Sequence, residues 1–326
     1  MSAAARALKS VSRAAFSWKQ TGRPQQTLAA AVSRSGVGLH SGAHATATLL
    51  PAHAGEGRYF VVEGRDDARV AAEVGNAEAQ SLLCTTLRWG GGGGGGPRVR
   101  TVEHLLSAME ALGVDNCRVE VSGGDEIPLL DGSAQEWVEA IQSAGLCAAE
   151  DSSGQKLEKL SPEIHEPAYL QRDDCFVAAF PSSQIHITYG IDFPKVPAIG
   201  CQWFSTFLDA NIYSSKIAPA RTFCIFEEAE KMRGAGLIKG GSVENAMVCS
   251  ISDGWLNPPL RFKDEPCRHK ILDLIGDFSL LAQNGNQGFP IAHIVAYKAG
   301  HALHTNFLSR LLGKITVDQE KLDGKC

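Results

Sequence analysis

One stretch of the sequence constrains the fold more than any other, because it predicts a helix with two chemically opposite faces. In HKILDLIGDFSLL, His269–Leu281, successive residues of a helix would be rotated by about 100°. Apolar residues then cover one side, from about 140° to 240°. His269, Asp273 and Asp277 fall at about 0°, 40° and 80°, with Lys270 near 100°. Such a helix buries one face in a core and turns the other towards a polar site.

The polar face of this helix has two readings. A histidine and an aspartate at i and i+4 can bind one metal ion, as the two histidines of H-E-x-x-H do. A solvated face carrying an i,i+4 pair is the alternative, and this helix alone leaves both open. We predict that the helix runs from about Glu265 to Ala282, with Asp264 as N-cap and Pro266 in the first turn, where its missing N–H costs nothing.

A second signal is Glu103-His104, near the start of a predicted helix that opens at Thr101, the candidate N-cap, and stops at Gly113. A catalytic zinc usually has three protein ligands and one open position, and His104 would add a third ligand to the pair on the other helix. The adjacent Glu103 could take a proton from water. Alone, His104 reads equally as a core histidine and Glu103 as a favourable first-turn charge.

The third signal is Gly300-His301-Ala302. A histidine at a helix start could protonate a leaving group, and Asp277 could hold it in the cationic form. An ordinary surface histidine near a turn is the alternative. His293 and His304 have no comparable context, and we predict that they are structural or surface residues.

Composition excludes several classes. The 326 residues are 44% hydrophobic and 21% charged, enough for one large domain or two ordinary ones. The net charge of −5 argues against nucleic acid as the main partner, and no apolar run approaches the roughly 18 residues of a membrane span. The nine cysteines are odd in number and contain no C-x-x-C pair, which argues against a disulfide framework and indicates a reducing compartment.

The first 24 residues are basic and contain no acidic residue; the first carboxylate of the chain is Glu56. An Arg-, Ser- and Ala-rich start of this kind is typical of an organellar transit peptide. We therefore predict a mitochondrial protein, with the plastid as the alternative location and a disordered basic tail as the alternative reading of the segment.

Both halves of the remaining chain begin with strand patterns and end with helical ones, which indicates an α+β fold built from two related domains. We predict an N-terminal domain at 25–146, a polar linker at 147–163 and a C-terminal domain at 164–326. Gly90–Gly96 is an uninterrupted glycine run and predicts a flexible hairpin loop.

Seven motifs extend in order over nearly the whole chain after the leader. They are GVGLHSG (Gly36–Gly42), LLCTT (Leu82–Thr86), TVEHLLSAMEALGVDN (Thr101–Asn116), IPLLDGSA (Ile127–Ala134), RTF (Arg221–Phe223), HKILDLIGD (His269–Asp277) and YKAGHAL (Tyr297–Leu303). In these motifs the sequence resembles the UDP-3-O-acyl-N-acetylglucosamine deacetylase family, zinc enzymes of lipid A synthesis. The leader indicates a plant-like organellar member.

The resemblance implies a two-domain sandwich in which helical layers pack between two β-sheets. It also implies zinc-dependent hydrolysis of the N-acetyl group of UDP-3-O-acyl-N-acetylglucosamine by a monomer. The implied residues are the zinc ligands His104, His269 and Asp273, the general base Glu103, the cationic His301 paired with Asp277, and the oxyanion-assisting Thr222. The helix start and zinc would lower the pKa of Glu103 and burial would raise it, and the sequence leaves the balance open.

The resemblance further implies that Lys270 and Phe223 contact the substrate, and that an insert at about 225–247 forms an apolar passage for the acyl chain. The nucleotide-sugar lipid is the expected partner, and a His₂Asp site also suits Fe²⁺. The residues expected around the passage are Leu39, Ile225, Phe226, Ala229, Met232, Leu237, Ile238, Gly241, Ser242, Ala246 and Met247.

Two features depart from the family pattern. The glycine run lengthens a loop near Glu103, and Gln283–Pro290 is longer than the bacterial pattern. Two competing functions are a non-catalytic binding protein that keeps the fold and a zinc peptidase. The retained Glu103, Asp277 and His301 speak against the first, and the absence of H-E-x-x-H speaks against the second.

Overall fold

A computed structural model describes residues 16–65, 68–79, 83–90, 95–257 and 259–313. The central four residues of the glycine run lie outside these ranges, as do the first fifteen residues of the chain. In the N-terminal half the elements are β1 (Phe16–Pro24), β2 (Gln26–Leu28), β3 (Val32–Val37), β4 (His44–Pro51), β5 (Arg58–Val62), β6 (Val70–Ala71), β7 (Leu87–Arg88), β8 (Arg98–Val99), α1 (Glu103–Leu112), β9 (Cys117–Ser122), α2 (Gln135–Ala144) and β10 (Leu146–Ala148).

Short 3-10 turns lie at Val74–Asn76 in the N-terminal half and at Ser279–Leu281 in the C-terminal half, which also has a π-helical turn at Tyr213–Ile217. Its elements are β11 (Glu158–Ile164), β12 (Ala168–Arg172), β13 (Cys175–Pro181), β14 (His186–Phe193), β15 (Gly200–Phe207), α3 (Ala210–Ile212), β16 (Phe223–Ile225), α4 (Phe226–Gly234), β17 (Met247–Ser250), β18 (Gly254–Trp255), α5 (Glu265–Phe278), β19 (Ala292–Tyr297) and α6 (His301–Leu311).

The two halves repeat one topology. The first has a five-stranded sheet in the order β3-β4-β9-β5-β6, and the second has one in the order β12-β13-β19-β14-β15. In both, the only parallel pair among the described strands of the sheet joins the third and fourth positions, β9 with β5 and β19 with β14. A long helix precedes and another follows the third strand in each half, so α1 corresponds to α5 and α2 to α6. The predicted α+β fold with two related halves is confirmed.

The helices lie between the two sheets. On the first side α2 packs against β3 and α1 packs against α2; on the second, α5 packs against β14 and β15, and α6 against β12 and β13. The two helical layers meet where α1 contacts α5. The apolar stripe of α5, which includes the buried Ile271, Leu274, Ile275 and Phe278, joins the core, as its periodicity predicts.

The crossing of α1 and α5 is close because Gly276 has no side chain. A Cβ at this position would lie 2.1 Å from the carbonyl oxygen of Glu103, well inside van der Waals contact. The missing Cβ lets the backbone of α5 rest on the first turn of α1. This contact sets Glu103 and His104 beside the polar face of α5.

The first turn of α1 differs from its sequence prediction. The helix begins at Glu103 with Val102 at the N-cap, so the prediction of Thr101 as N-cap is wrong. Thr101 has a left-handed backbone, with φ of 59°, and its hydroxyl donates to Glu126 Oε1 at 3.1 Å. The left-handed backbone of Thr101 directs the hydroxyl to this carboxylate, and among the described hydrogen bonds it accepts none from the first-turn amides of α1.

Two predicted boundaries also shift. Strand β1 pairs antiparallel with β11 from Phe16 to Pro24, so residues 16–24 belong to the fold, and removal of a leader that ends at Pro24 would remove the whole strand. The strand escaped detection because its half-exposed ribbon has few apolar residues. The predicted linker 147–163 overlaps β10 and β11 at its two ends, because polar residues suffice where a strand is exposed.

The insert forms a small separate sheet, β16-β17-β18, with α4 connecting its first two strands. Strands β16 and β17 run parallel. Among the described residues, no helix combines the length and apolar character needed to cross a bilayer.

We predict that Gly276→Ala destabilises the protein. Alanine normally improves a helix interior by up to about 1 kcal/mol, but here its methyl would collide with the Glu103 carbonyl, and overpacking of this kind costs about 3 kcal/mol. The urea midpoint of unfolding, followed by circular dichroism, should fall. Gly234→Ala is the matched control, since Gly234 is helical and a Cβ added there would have no heavy atom within 4 Å; equal midpoints for the two variants would contradict the prediction.

Candidate metal centre and acid–base site

Three buried side chains from α1 and α5 converge on one point. His104 projects from the first turn of α1, and His269 and Asp273 project from successive turns of α5. Asp273 Oδ1 lies 3.3 Å from His269 Nε2 and 3.7 Å from His104 Nε2. The two imidazole rings meet edge to face, with centroids 5.0 Å apart. The structure therefore brings together the three ligands predicted from the sequence.

The donor atoms of this group are in the form that a metal requires. His269 Nδ1 donates to the carbonyl of Ala220 at 3.0 Å, which leaves Nε2 as a lone pair facing the centre. Burial lowers the pKa of His104 to about 3, so its imidazole is neutral. Burial favours protonated Asp273, but Lys270, whose Nζ lies 2.7 Å from Oδ2, holds the pKa of this carboxyl well below its usual value.

Asp273 Oδ1 is the atom whose surroundings most clearly favour a bound cation. It is buried and accepts no hydrogen bond within the described part of the chain, although the other carboxylate oxygen is paired with Lys270. The Nε2 atoms of His269 and His104 lie 3.3 and 3.7 Å from it. A buried charged oxygen without a donor is costly, and a metal ion bound by the three residues would satisfy it. These residues fit a zinc site of the His₂-carboxylate type.

Glu103 lies beside the three ligands and is itself buried. Its Oε2 accepts a hydrogen bond from the backbone N–H of Thr85 at 2.9 Å, while Oε1 lies 3.9 Å from His301 Nε2. Burial raises the pKa of Glu103 well above its ordinary value, and the positive charge of His301 opposes this. Among the groups of the chain itself, burial therefore outweighs the opposing charge of His301.

His301 and Asp277 form the predicted pair at the opposite side of Glu103. His301 Nδ1 donates to Asp277 Oδ2 at 2.7 Å, and both residues are buried. Burial alone would lower the pKa of His301, but the Asp277 carboxylate and its hydrogen bond raise it to about 10. The imidazole is therefore a cation at neutral pH, with Nε2 turned towards Glu103 and Asp273 Oδ2, each 3.9 Å away.

Two residues of this site escaped sequence reasoning. Thr85 donates from its hydroxyl to Asp277 Oδ1 and from its amide to Glu103, so one residue contacts both carboxylates. His304, predicted to be structural or on the surface, is buried, and its Nδ1 lies 2.7 Å from Asp277 Oδ2. Spacing could have found His304, because residues at i and i+3 of a helix share one face with His301; no local signal pointed to Thr85. The other predicted structural or surface histidine, His293, is half-buried on β19 and stacks on His186.

Phe223 connects the centre to a neighbouring cavity, and Thr222 precedes it in the chain. The amide of Thr222 donates to the carbonyl of Gly132 at 2.7 Å, and the ring centroid of Phe223 lies 5.8 Å from Lys270 Nζ. Both residues line a cavity of about 180 Å³ beside the insert. Its wall includes the predicted Leu39, Phe226, Ala229, Met232, Ile238, Gly241, Ser242 and Ala246, together with Leu83, Cys224, Glu230, Arg233, Val243 and Val248, which were not predicted.

Three residues predicted to line the passage lie elsewhere. Ile225 and Met247 are buried in β16 and β17 and do not line the cavity. Side chains alternate along a strand, and the adjacent residues Cys224 and Val248 line the cavity instead. Leu237 is 46% exposed on the surface. Apolar character alone did not reveal which face of each element of the insert meets the cavity.

Comparison with known proteins identifies the family. Residues 25–313 match the family model described as UDP-3-O-acyl N-acetylglycosamine deacetylase. The chain is 53% identical, over 89% of its own length and 89% of the relative's, to the Arabidopsis thaliana protein named "Probable UDP-3-O-acyl-N-acetylglucosamine deacetylase 1, mitochondrial". It is 50% identical to the UDP-3-O-acyl-N-acetylglucosamine deacetylase of Nostoc sp., over 88% of this chain and 98% of that protein. It is 45% identical to the protein of that name from Synechocystis sp., over 87% and 97%. The chain belongs to the UDP-3-O-acyl N-acetylglycosamine deacetylase family.

Proposed function

We propose that this protein is a zinc-dependent deacetylase that hydrolyses the N-acetyl group of UDP-3-O-acyl-N-acetylglucosamine, giving UDP-3-O-acyl-glucosamine and acetate. The observation that carries the proposal is the buried, unpaired Asp273 Oδ1 facing two imidazole nitrogens, with a carboxylate and an imidazolium directly beside it. The family and the names of the relatives support the substrate.

His104, His269 and Asp273 would hold the zinc. When bound there, zinc supplies Lewis-acid polarisation of a carbonyl and acidification of water. Ala220 fixes the ring of His269, and Lys270 occupies the second oxygen of Asp273, so each of these ligands is oriented by a neighbour. The same His₂-carboxylate set also suits Fe²⁺, and metal analysis of the purified protein distinguishes the two.

Glu103 takes a proton from the attacking water. Its amide contact with Thr85 leaves Oε1 free to point into the centre. A carboxylate in an apolar, buried position is a stronger base than one in water, because burial penalises its charge. The raised pKa of Glu103 is therefore suited to accept a proton and later to return it.

The leaving amine receives one proton for each amide bond that is broken. His301, a cation, can deliver this proton from Nε2, and the newly protonated Glu103 is the second source. Both groups face the same small space, because Nε2 and Oε1 are 3.9 Å apart. The oxygen of the water ends on acetate. If Glu103 protonates the amine, it returns the proton that it took from the water; if His301 does so, the proton on Glu103 passes to His301 afterwards, and both groups regain their starting charge.

Substrate recognition falls to residues between the centre and the cavity. Thr222 assists the developing oxyanion, and Lys270 and Phe223 contact the substrate headgroup; Lys270 carries a positive charge suited to a phosphate. The cavity beside the insert takes the acyl chain, since apolar side chains form most of its wall.

The cellular role follows from the same substrate. We propose a step of lipid A-type synthesis in the mitochondrion, as the name of the Arabidopsis relatives suggests, with import directed by the residues that precede β1. The plastid is the alternative. A reporter fused to residues 1–15 should enter the organelle, and a cytosolic reporter would contradict this location.

We further propose that the enzyme is a monomer, which light scattering tests.

The direct test of the proposed function is acetate release. Protein with one equivalent of zinc should release acetate from UDP-3-O-acyl-N-acetylglucosamine, and chelation should stop it. If the protein bound the substrate but released no acetate, the result would indicate a non-catalytic binding protein. Cleavage of peptides instead would indicate a peptidase.

We predict that Asp273→Ala lowers zinc content and turnover together, since it removes one of three ligands. Inductively coupled plasma mass spectrometry after dialysis should give well under one zinc per chain. Asp264→Asn is the control, because it also removes a carboxylate at the start of α5. Among the described contacts, the side chain of Asp264 pairs only with Arg268. Full zinc occupancy in Asp273→Ala would remove Asp273 from the ligand set.

We predict that Glu103→Gln retains zinc but lowers kcat by at least about 100-fold, the usual contribution of a general base. Glutamine keeps the size of the side chain and can still accept the Thr85 amide hydrogen bond, so the fold is preserved. Metal content and kcat measured on one preparation separate the two effects. A kcat close to that of the parent protein would exclude Glu103 as the base.

We predict that Ala229→Phe discriminates between acyl lengths. Ala229 is buried and lines the cavity, so a phenyl ring there displaces part of a long chain. Each excluded CH₂ costs about 0.8 kcal/mol, and two raise KM about tenfold. The KM of a substrate with a short acyl chain should hardly change. Ala235→Phe, at an exposed position after α4, should leave both KM values unchanged; equal effects of Ala229→Phe on both substrates would exclude the cavity as the acyl site.

A further inference from the structure

The Asp277 carboxylate accepts three hydrogen bonds in a fully buried position. Its Oδ1 accepts from the hydroxyl of Thr85, while Oδ2 lies 2.7 Å from the Nδ1 atoms of both His301 and His304. The two histidines are at i and i+3 on α6, and both are buried. One carboxylate oxygen therefore joins two imidazoles, of which the proposed mechanism uses only one.

The two imidazoles have different surroundings. His301 Nε2 faces the reaction centre, where Glu103 Oε1 and Asp273 Oδ2 are each 3.9 Å away. His304 Nε2 instead lies 3.4 Å from the hydroxyl of Tyr189, which donates to the carbonyl of Ala299 at 2.5 Å. His304 thus has no contact with the predicted ligands among its described contacts. Its ring is held between Asp277 and Tyr189.

We propose that His304 is a positioning residue whose Nδ1–H donates to Asp277 Oδ2 and holds this carboxylate in the orientation that aims His301 at the leaving amine. The identity of the reaction in this inference rests on the proposed function. The hydrogen bond between His304 and Asp277 does not depend on that function.

The proton on His304 belongs on Nδ1. A lone pair at Nδ1 would face a carboxylate oxygen at 2.7 Å, and two acceptors at that distance repel. Burial, opposed by the hydrogen bond to Asp277, lowers the pKa of His304, so the ring is a neutral donor, whereas His301 is cationic. A neutral N–H orients the carboxylate without adding a second positive charge next to the centre.

His301 needs this support because Asp277 provides the strong hydrogen bond of its ring. Its remaining described polar neighbours are Thr85 Oγ1 at 3.2 Å and the two carboxylate oxygens at 3.9 Å. If Oδ2 loses the His304 donor, the carboxylate can rotate about the Thr85 contact, and the His301 ring turns with it. Misplacement of a catalytic group lowers the rate without weakening substrate binding.

Two nearly isosteric variants separate the hydrogen bond from the shape of the side chain. His304→Asn places an amide N–H two bonds from Cβ, where Nδ1 lies, and His304→Leu places a methyl there. We expect His304→Leu to lower kcat about tenfold with KM and zinc content unchanged, and His304→Asn to keep kcat within about threefold of the parent. Equal kcat values for the leucine variant and the parent, or failure of asparagine to restore the rate, would overturn the proposal.

The role through His301 is tested by combining substitutions. In a His301→Ala background, His304→Leu should have no further effect on kcat, because the residue that it positions is absent. A merely structural role predicts the same tenfold loss in both backgrounds, and that result would overturn the proposal.

A measurement on the unmodified protein remains decisive if the leucine variant does not fold. Long-range ¹⁵N–¹H NMR of protein labelled with ¹⁵N-histidine, assigned with His304→Asn, should show His304 as the neutral Nδ1–H tautomer. The Nε2–H tautomer would overturn the proposal. This measurement needs no turnover and is therefore independent of the acetate assay. If no acetate were released, the tautomer result would still be valid. If the tautomer were the wrong one, the acetate result would still be valid.

Discussion

The close contact between α1 and α5 at Gly276 is the constraint on which the site depends. The two helices occupy equivalent places in the repeated halves of the fold, and each carries part of the centre: α1 provides Glu103 and His104, and α5 provides His269, Asp273 and Asp277. With a Cβ at Gly276 the helices would have to separate at the turn where these residues meet. The group of candidate ligands is thus a property of a helix interface between two related sheets, and neither half alone contains it.

Within this interface, neighbours give three carboxylates different properties. Glu103 is buried with one backbone donor and with the charge of His301 at a distance, so burial raises its pKa. Asp273 and Asp277 are equally buried, but a lysine ammonium contacts one and two imidazoles contact the other, and both pKa values are lowered. The site therefore contains a strong base and two permanent anions within a few ångströms. Because their surroundings shift the pKa values of these groups in opposite directions, one pocket can contain an acid, a base and a cation at the same pH.

The sequence predicted the parts of the site that lie on single helices with a clear period. The face of α5, the pair at the start of α1 and the histidine at the start of α6 were all found, and the structure brings them together. Residues that act through tertiary contacts were missed: Thr85 touches Asp277 across 192 positions of the chain, and no local pattern records such a contact. His304 was recoverable from its helical spacing. Strand β1 was missed because a half-exposed ribbon needs few apolar residues. Ile225 and Met247 were misplaced because the apolar character of a short strand does not tell which of its two faces meets the cavity.

Strand β1 has a consequence for the order in which the protein folds. Its partner β11 follows well over a hundred residues later, with Ser17 and His165 in hydrogen-bond contact at a separation of 148 positions. A chain that emerges from a ribosome or crosses a membrane N-terminus first therefore exposes β1 long before its partner arrives. Contacts of such high sequence separation slow folding, and the α1–α5 interface closes later still. Until β11 and α5 follow, the N-terminal half has one strand without its partner, and Glu103 and His104 lack the side chains of α5 that they meet in the folded protein.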